Sequence, residues 1–330
     1  MKEIGGPRRI VSFLPAATEM ICALGLQEQL VGVTQECDYP PEVLAKPIVV
    51  RCAVDLEGKT ANEIDGIVCE RLRTGESLYA VDERMLRSLS PDLIVAQDLC
   101  EVCAPSGNEV THVLKTLHNP PDILYMTPTS LDEVFDNVHQ LGRRSGREAR
   151  AETLIASARK RLAEIKGRTC ASPRRPRVFC MEWSDPLYCS GHWVPEMVEL
   201  AGGVDALARP GNDSRRVSWE EVRRWAPEVL LIAPCGCHLR AALAHVPQLE
   251  RLSGWDDIPA VRGGRVYAVD ASSYFARPGP RVVDGVELLA HLIHPELFPW
   301  TGARDAYAKI RPPTPRPRGA LRGSVLPDVG

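Results

Sequence analysis

Cysteine side chains with metal-ligand spacing offer the first candidate chemistry in this 330-residue chain. Cys100 and Cys103 have the Cys-x-x-Cys spacing that suits Zn, an Fe–S cluster or a redox pair. Cys37 lies in a second loop that follows an expected strand, and its thiolate could add a third ligand. Small buried thiols also pack loops without metal. The spacing therefore leaves two interpretations open, a metal or redox centre and plain packing.

A loop at residues 182–196 carries the side chains that could hold a flat conjugated ligand. It contains Trp183, Tyr188, His192 and Trp193, and all 6 tryptophans lie in the second half of the chain. Aromatic faces stack on conjugated rings, and the His192 imidazole could serve as an axial ligand to cobalt or iron. Alternatively, the tryptophans pack within the loop and His192 is solvated, and neither contacts a ligand.

Two further features suit polar or charged groups of a ligand. Arg277, which follows Phe275 and precedes a proline, fits a cationic clamp for amide or phosphate groups. The helix predicted to begin at Ala16 presents free backbone N–H groups and a positive dipole end, which suit a phosphate or carboxylate. Each feature also has an alternative without a ligand: Arg277 could be a surface arginine in a turn, and the helix start could simply face solvent.

Signatures of catalysis are missing from the sequence. It contains no Walker loop, no GxSxG elbow, no GxGxxG motif after a strand and no HExxH motif. Glu182 and Asp185 could act as acid and base, but no nucleophile accompanies them. We therefore expect a binding protein and not an enzyme.

The elements that position these residues occur twice. Each half contains a strand, a helix and a second, buried strand, at 9–14, 16–24 and 93–96 in the first half and at 177–181, 194–201 and 228–233 in the second. Near-continuous apolar strands are typical of parallel sheets covered on both faces. Because ligands bind beyond the carboxyl ends of such strands, the repeat predicts two Rossmann-like α/β lobes with a ligand cleft between them.

A long helix is predicted between the lobes. After a capping box at Ser130, a second helical stretch of about 20 residues, roughly 30 Å long, ends near Lys166. Such a helix forms a stiff spine. The predicted domains are an N-terminal lobe at 1–128, connecting helices including the spine at 129–170, a C-terminal lobe at 171–300 and a Pro/Arg-rich extension at 301–330 that is disordered from about 311.

Composition limits the partners and the compartment. The net charge of −3 argues against nucleic-acid binding, and no apolar run reaches the roughly 18 residues of a membrane span. Eleven cysteines in a chain without an export signal predict a reducing, cytoplasmic compartment; a periplasmic location would require an incomplete N-terminus. We expect a monomer or weak dimer.

Four segments carry a family likeness. The segments 15–19, 38–41, 91–95 and 274–277 occur in this order and spacing. They resemble the helical-backbone (class III) substrate-binding proteins of ABC importers for vitamin B12, siderophores and haem, most of all the cobalamin-binding members. The resemblance covers about residues 8–295.

The resemblance implies that the cleft binds a corrinoid (cobalamin-like) or related metal-bearing macrocycle, as a substrate-binding protein or intracellular carrier. It also implies contact with an ABC permease through Glu57 and Glu220. Together with the strand-end rule, it predicts a ligand site formed by Pro15, Ala16, Thr18, Asp38, Tyr39, Arg51, Gln97, Asp98, Glu182, Trp183, Tyr188, His192, Trp193, Tyr274, Phe275 and Arg277.

Two alternatives stand beside this hypothesis. A metalloprotein or redox enzyme would use the same fold and hold Zn or Fe–S at Cys37, Cys100 and Cys103. A ligand chaperone or sensor would bind without turnover and without contacting a permease.

Overall fold

Two sheets, one in each lobe, form the framework of the protein. The computed structural model describes residues 6–97 and 119–311. In this part of the chain the first sheet has the strand order β4-β3-β2-β1-β5-β6 and the second has the order β11-β10-β9-β7-β8. The strands are β1 (Ile10–Ser12), β2 (Leu30–Thr34), β3 (Ile48–Cys52), β4 (Tyr79–Val81), β5 (Leu93–Ala96), β6 (Asp122–Tyr125), β7 (Val178–Ser184), β8 (Leu187–Cys189), β9 (Val229–Ile232), β10 (Val266–Val269) and β11 (Tyr307–Lys309).

Helices cover both sheets and join them. Those of the first lobe and the connection are α1 (Pro15–Ala23), α2 (Ala61–Thr74), α3 (Glu83–Leu89), α4 (Leu131–Arg144) and α5 (Glu148–Cys170). Those of the second lobe are α6 (Val194–Leu200), α7 (Trp219–Trp225), α8 (Leu239–Ala244), α9 (Val246–Leu249), α10 (Pro259–Arg262), α11 (Ala271–Tyr274) and α12 (Val282–Ile293). Two 3₁₀ turns lie at Pro41–Ala45 and Trp255–Asp257. The predicted fold class, two α/β lobes joined by a long helix, is confirmed.

The central strands are parallel and buried, which explains their apolar sequences. β1 pairs in parallel with β2 and β5, and β9 pairs in parallel with β7 and β10. Every residue of β5 and β9 is buried, because helices or loops cover both faces of these sheets. The carboxyl ends of the central strands define the edge of each lobe that carries the cleft.

The spine helix α5 is anchored to the second lobe by charge as well as by apolar packing. Its 23 residues make it about 34 Å long. Arg161 Nε donates to Glu287 at 2.8 Å, and its terminal nitrogen donates to Asp284 at 2.5 Å, both on α12. One apolar cluster runs from the α1 residues through α4 and α5 to α12, so the lobes share a core on the spine side.

The structure corrects the sequence-based elements in two places. The apolar spacing of residues 60–89 predicts helix throughout, but α2 and α3 are separated by β4, whose residues pair with β3 as an antiparallel edge. The pattern of residues 238–252 predicts one helix, which is divided into α8 and α9, with Pro247 in the first turn of α9. The strand β11 pairs with β10, so residues 307–309 belong to the second sheet.

Two sequence predictions fall outside the residues that the structure describes. The pattern of residues 105–118 predicts a helix, and the tail is predicted to be disordered from about 311, but residues 98–118 and 312–330 are not described. Within 6–97 and 119–311, no helix combines the length and apolar character needed to cross a membrane.

Candidate functional site

A small cavity lies between the lobes, at the carboxyl ends of the central strands. Its volume is about 90 Å³. Gln97, directly after β5, contributes the wall from the first lobe, and residues of β7 and of the loop after β9 contribute from the second. The structure thus brings Gln97 of the first lobe together with four predicted residues of the second lobe, which are Glu182, His192, Trp193 and Phe275.

The second lobe contributes polar groups to this cavity from β7 and from two loops. Ser214 Oγ donates to Glu182 Oε1 at 3.0 Å. Ser190 is only 2% exposed, and its side chain interacts with the thiol of Cys180, which also lines the cavity.

Trp193 and His192, two neighbouring residues predicted to contact the ligand, have different surroundings. Trp193 is buried, packs in the shared apolar core and donates its indole N–H to the carbonyl of Phe275 at 2.8 Å. Trp193 therefore forms a wall of the cavity and belongs to the core at the same time. His192 has a left-handed backbone (φ 53°), and its Nε2 lies 3.1 Å from Asp213 Oδ1.

Asp38 is the centre of an ion-pair group that joins the lobes. The Arg277 guanidinium donates to both Asp38 carboxylate oxygens at 2.5 and 3.2 Å, and also to the carbonyl of Glu36. His238 Nε2 lies 2.8 Å from Asp38, and the opposite ring nitrogen lies 3.0 Å from Asp270. Asp38 and Arg277, both predicted as ligand contacts, are therefore bound to each other in this closed arrangement.

A second, deeper ion pair lies between α1 and the start of α12. Arg281 donates to both oxygens of Glu19 at 2.9 and 2.6 Å, and the two side chains are 14% and 3% exposed. Arg277 adds a longer contact of 3.6 Å to Glu19. Burial raises the pKa of Glu19, although both arginines oppose the shift. The Arg281 guanidinium also lies 4.2 Å from the centre of the Tyr39 ring.

We expect the lobe junction to weaken as the pH rises through the pKa of His238. Hydrogen bonds to Asp270 and Asp38 raise that pKa from 6.5 to about 9. A raised histidine pKa stabilises the folded, closed protein fully below pH 6.5, and this contribution is lost as the pH rises through about 9. The unfolding midpoint, measured by circular dichroism between about pH 6 and pH 10, should fall over this window.

His238→Gln is the matched variant for that experiment, because glutamine keeps a hydrogen-bonding side chain without the titrating charge. Its midpoint should be lower than that of the wild type at pH 6.5 and should depend less on pH up to about 9. Parallel pH curves for the two proteins would show that the bridge to Asp38 and Asp270 does not stabilise the fold.

The other side of the cleft is closed by α2. Trp183 donates its indole N–H to the carbonyl of Ala61 at 3.1 Å, and Asn62 donates to Asp185 at 3.3 Å. One turn further along α2, Asp65 accepts from Arg216 at 2.9 Å.

Tyr188, another predicted ligand residue, accepts a hydrogen bond from the same Arg216 at 2.8 Å. The half-buried Trp183 and Tyr188 therefore lie beside the contact between α2 and the second lobe.

The start of α1, expected to bind an anion, is covered by the second lobe. A Cβ at Gly279 would lie 3.5 Å from the Ala16 Cα, so this turn packs directly on the first helical residues after Pro15. Thr18 is fully buried and its hydroxyl lies 3.0 Å from the Cys37 Sγ. The Gly279 turn therefore packs against the helix start at which the sequence predicts an anion.

Several predicted residues do not line the cavity. Tyr274 packs edge-on against Trp300, with the ring centres 6.1 Å apart. Arg51 is exposed on β3, opposite Ala80 of the edge strand β4. Asp98 lies outside the described residues.

The two glutamates predicted to contact a permease are both exposed. Glu57 lies in the segment before α2, and Glu220 lies in the first turn of α7, where it pairs with Arg223 at 3.1 Å. Their exposure leaves both side chains accessible to a partner.

The cysteine-based metal site gains no support from the described residues. Burial raises the pKa of the Cys37 thiol to about 11, whereas metal ligation requires the thiolate. Cys100 and Cys103 lie outside the described residues. Over 6–97 and 119–311, the group of potential ligands close enough to hold an ion is His139, Glu148 and Glu152, which contains no cysteine.

Sequence reasoning missed three residues of the lobe junction, which are Glu19, His238 and Arg281. Glu19 carried a usable signal, because it is a single charge within the apolar helix α1 and buried charges are rare without a partner. The sequence offered no comparable sign for His238 or Arg281.

Two facing α/β lobes, a shared spine helix and a cavity at the strand ends define a two-lobed solute-binding protein. The chain belongs to the Periplasmic binding protein family, whose sequence model matches residues 10–272. The family resemblance inferred from the sequence is confirmed. A family of binding proteins also agrees with the prediction that the chain is not an enzyme.

Known relatives match most of the chain. The ABC transporter substrate-binding lipoprotein YvrC of Bacillus subtilis, itself uncharacterized, is 27% identical over 300 residues, which are 88% of this chain and 82% of the relative. The vitamin B12-binding protein of Vibrio cholerae is 28% identical over 282 residues, 84% and 86% of the two chains. A periplasmic heme-binding protein from Pseudomonas aeruginosa has a similar fold, with a TM-score of 0.70, 20% identity and coverage of 92% and 99%.

Proposed function

We propose that this protein binds a corrinoid, or a closely related metal-bearing macrocycle, in the cleft between its lobes and delivers it to an ABC permease. The observation that carries the proposal is the cleft itself: aromatic side chains flank a mainly apolar cavity, with a few polar groups, where the carboxyl ends of both sheets meet. Similarity to a vitamin B12-binding protein over 84% of the chain supports the same ligand class.

The closed cavity is too small for the whole ligand. Its 90 Å³ compares with roughly 300–1,000 Å³ in cavities that enclose drug-sized molecules. A macrocycle therefore enters only after the lobes, or α2 and the second lobe, move apart. The half-buried rings of Trp183 and Tyr188 would then become available for stacking on the macrocycle.

We expect hydroxocobalamin, added at tens of micromolar to the purified protein, to quench its tryptophan fluorescence and to shift the cobalt–corrin absorption bands. Trp183 and Trp193 both lie near the ligand in this proposal, so the emission should respond to binding. Cyanocobalamin, whose cobalt already carries a strong axial ligand, should quench the fluorescence without the spectral shift if His192 ligates cobalt in hydroxocobalamin.

Haemin and a ferric hydroxamate should be titrated in parallel, since their chemistry is the nearest alternative. If haemin or the ferric hydroxamate binds more tightly than both cobalamins do, the ligand class is haem or a siderophore and not a corrinoid. Failure of both cobalamins to bind at tens of micromolar would reject the proposal.

Delivery to a permease is proposed through exposed Glu57 and Glu220, as the family resemblance implied. The cytoplasmic location, the domain boundaries and the monomeric or weakly dimeric state stay predictions from the sequence. An intracellular location would favour the ligand-carrier form of the same function.

A further inference from the structure

We propose that the cavity between the lobes is an apolar pocket of the second lobe that takes a small alkyl or vinyl substituent of the ligand. The pocket forms part of the ligand site, so the proposal rests on the proposed function and deepens it. Three observations carry it, which are the lobe that builds the cavity, the groups that line it and its volume.

Almost the whole wall of the cavity belongs to the second lobe. It includes residues of β7, of the loops that follow β8 and β9, of the start of α6 and of the segment that follows α11. Among residues 6–97 and 119–311, only Gln97 lines the cavity from the first lobe. When the lobes move apart to admit a ligand, the second-lobe walls stay together, and the pocket opens toward the cleft on the side of Gln97.

The polar side chains that line the cavity already interact with other protein groups. Ser214 Oγ donates to Glu182 Oε1 at 3.0 Å. Ser190 interacts with the Cys180 thiol, and Gln97 also has an interaction within the protein. A polar group of a ligand would compete with these interactions and would therefore gain little net free energy.

Apolar residues make up most of the remaining lining. Trp193 and Phe275 are aromatic, and Val194, Ala233 and Pro278 are aliphatic. The indole N–H of Trp193 donates to the carbonyl of Phe275 at 2.8 Å, so this polar atom is satisfied within the protein. Each methylene-sized group that a ligand buries on such a surface should raise its affinity about fourfold.

The volume of the cavity limits the substituent to a few atoms. Apolar cavities of about 150 Å³ take up benzene or xenon, and this cavity of about 90 Å³ is large enough for xenon or for a group of one to three carbons. Methyl groups at the edge of a corrin ring, and methyl or vinyl groups at the edge of haem, are within this limit. A charged carboxylate would lose its hydration here, which is costly, so the pocket favours an uncharged edge of the macrocycle.

Xenon and acetamide test the pocket without a macrocycle, because they are small probes of opposite polarity. Protein labelled with ¹⁵N at tryptophan is equilibrated with xenon at a few bar, with helium at the same pressure as the control, and separately with millimolar acetamide. The indole signal of Trp193, which lines the cavity and is assigned with Trp193→Phe, should shift with xenon and not with helium or acetamide. No shift with xenon, or an equal shift with acetamide, would overturn the proposal.

Variants that fill the pocket locate the effect. Ala233→Val and Ala276→Leu add carbon atoms at two different walls and should each lower the affinity for xenon at least fourfold, the effect of one methylene-sized group. Ala156→Leu makes the same replacement at an exposed position of α5 and should leave the affinity unchanged. Circular dichroism verifies that each variant is folded. Unchanged xenon binding in every filled variant that folds would place the xenon elsewhere and reject the pocket.

Titration with macrocycles separates the pocket from the proposed function. The filled variants should bind hydroxocobalamin at least fourfold more weakly than Ala156→Leu does. Equal affinities would mean that no substituent of the corrinoid enters the pocket, which rejects the proposal while the corrinoid function stands.

Haemin provides the same comparison for the alternative ligand class. If haemin binds and the cobalamins do not, the corrinoid assignment fails, and the pocket stands only if the filled variants bind haemin at least fourfold more weakly than Ala156→Leu does. If xenon binds as expected and no macrocycle does, the proposed function fails and the apolar pocket stands.

Discussion

Replacing Arg281 with alanine should lower the free energy of unfolding by about 3 kcal/mol at neutral pH. The variant leaves Glu19, whose side chain is 3% exposed, without the two hydrogen bonds of 2.9 and 2.6 Å that now hold it. Removal of one partner from a buried ion pair is strongly destabilising, because the remaining charge stays out of water. Urea denaturation followed by circular dichroism measures the loss.

The pair lies where the lobes share a core, so its loss should appear in global unfolding. Glu19 lies on α1, Arg281 immediately precedes α12, and both helices contribute to the apolar cluster that includes α4 and α5. Separating the lobes here to hydrate Glu19 would expose that cluster. Hydrating the unpaired Glu19 carboxylate would therefore also expose apolar surface, so neither response avoids a loss of stability.

Protonation offers partial relief, which gives the prediction a pH signature. Burial already raises the pKa of Glu19, and removal of Arg281 should raise it further. A carboxyl group with a raised folded pKa binds a proton more tightly in the folded state, so its protein gains stability as the pH falls. The deficit of Arg281→Ala should accordingly be smaller at pH 5 than at pH 8.

Two variants test the assignment. Glu19→Gln/Arg281→Met removes both charges and should recover most of the lost stability, because neutral replacements of a buried pair are often tolerated. Arg87→Ala breaks an exposed i,i+4 pair with Glu83 on α3 and should cost about 0.5 kcal/mol or less. A loss of the same size in Arg87→Ala and Arg281→Ala would contradict the special role of burial.

The lobes could be predicted from sequence because their signals are local. The apolar runs of β5 and β9 are continuous, and every residue of both strands is buried in a parallel part of its sheet. The spine helix α5 followed from an uninterrupted helical pattern after the capped helix α4. The strand β4 was missed because its three residues form a strand only through pairing with β3.

The site could be predicted only in part, because its key contacts join distant positions. Glu19 and Arg281 are 262 residues apart, and Asp38 and His238 are 200 apart. No periodicity or motif connects such pairs. For Trp193 the sequence left stacking on a ligand and packing within the protein open; its ring lies in the core and also lines the cavity, a position that sequence alone does not specify.

A cross-link between α2 and the second lobe should reduce hydroxocobalamin binding by about 100-fold or more. In Asn62→Cys/Asp185→Cys the two thiols replace groups whose side-chain atoms are 3.3 Å apart, within reach of a short bifunctional thiol-reactive reagent such as a bis-methanethiosulfonate. A protein locked in its closed form has almost no binding-competent population, and apparent affinity falls in proportion to that population. Fluorescence titration before and after cross-linking measures the change.

The expected loss of binding follows from the volume of the closed cavity and not from any particular ligand contact. The closed cavity of about 90 Å³ cannot enclose a macrocycle, and the contacts of Ala61, Asn62 and Asp65 with the second lobe lie on the side opposite the shared core. Movement of either the lobe or α2 requires these contacts to separate. A cross-link across them therefore blocks entry by both routes.

Single variants separate the lock from chemical modification of native thiols. Asn62→Cys and Asp185→Cys, treated with the same reagent, carry the same modified native cysteines and no bridge, so each should bind hydroxocobalamin as the untreated double variant does. Opening the bridge with a reductant, if the reagent joins the thiols through disulfides, should restore binding. Full affinity in the cross-linked protein would mean that the macrocycle binds outside the cleft, and the ligand site inferred from the strand ends would then be wrong, whatever the ligand.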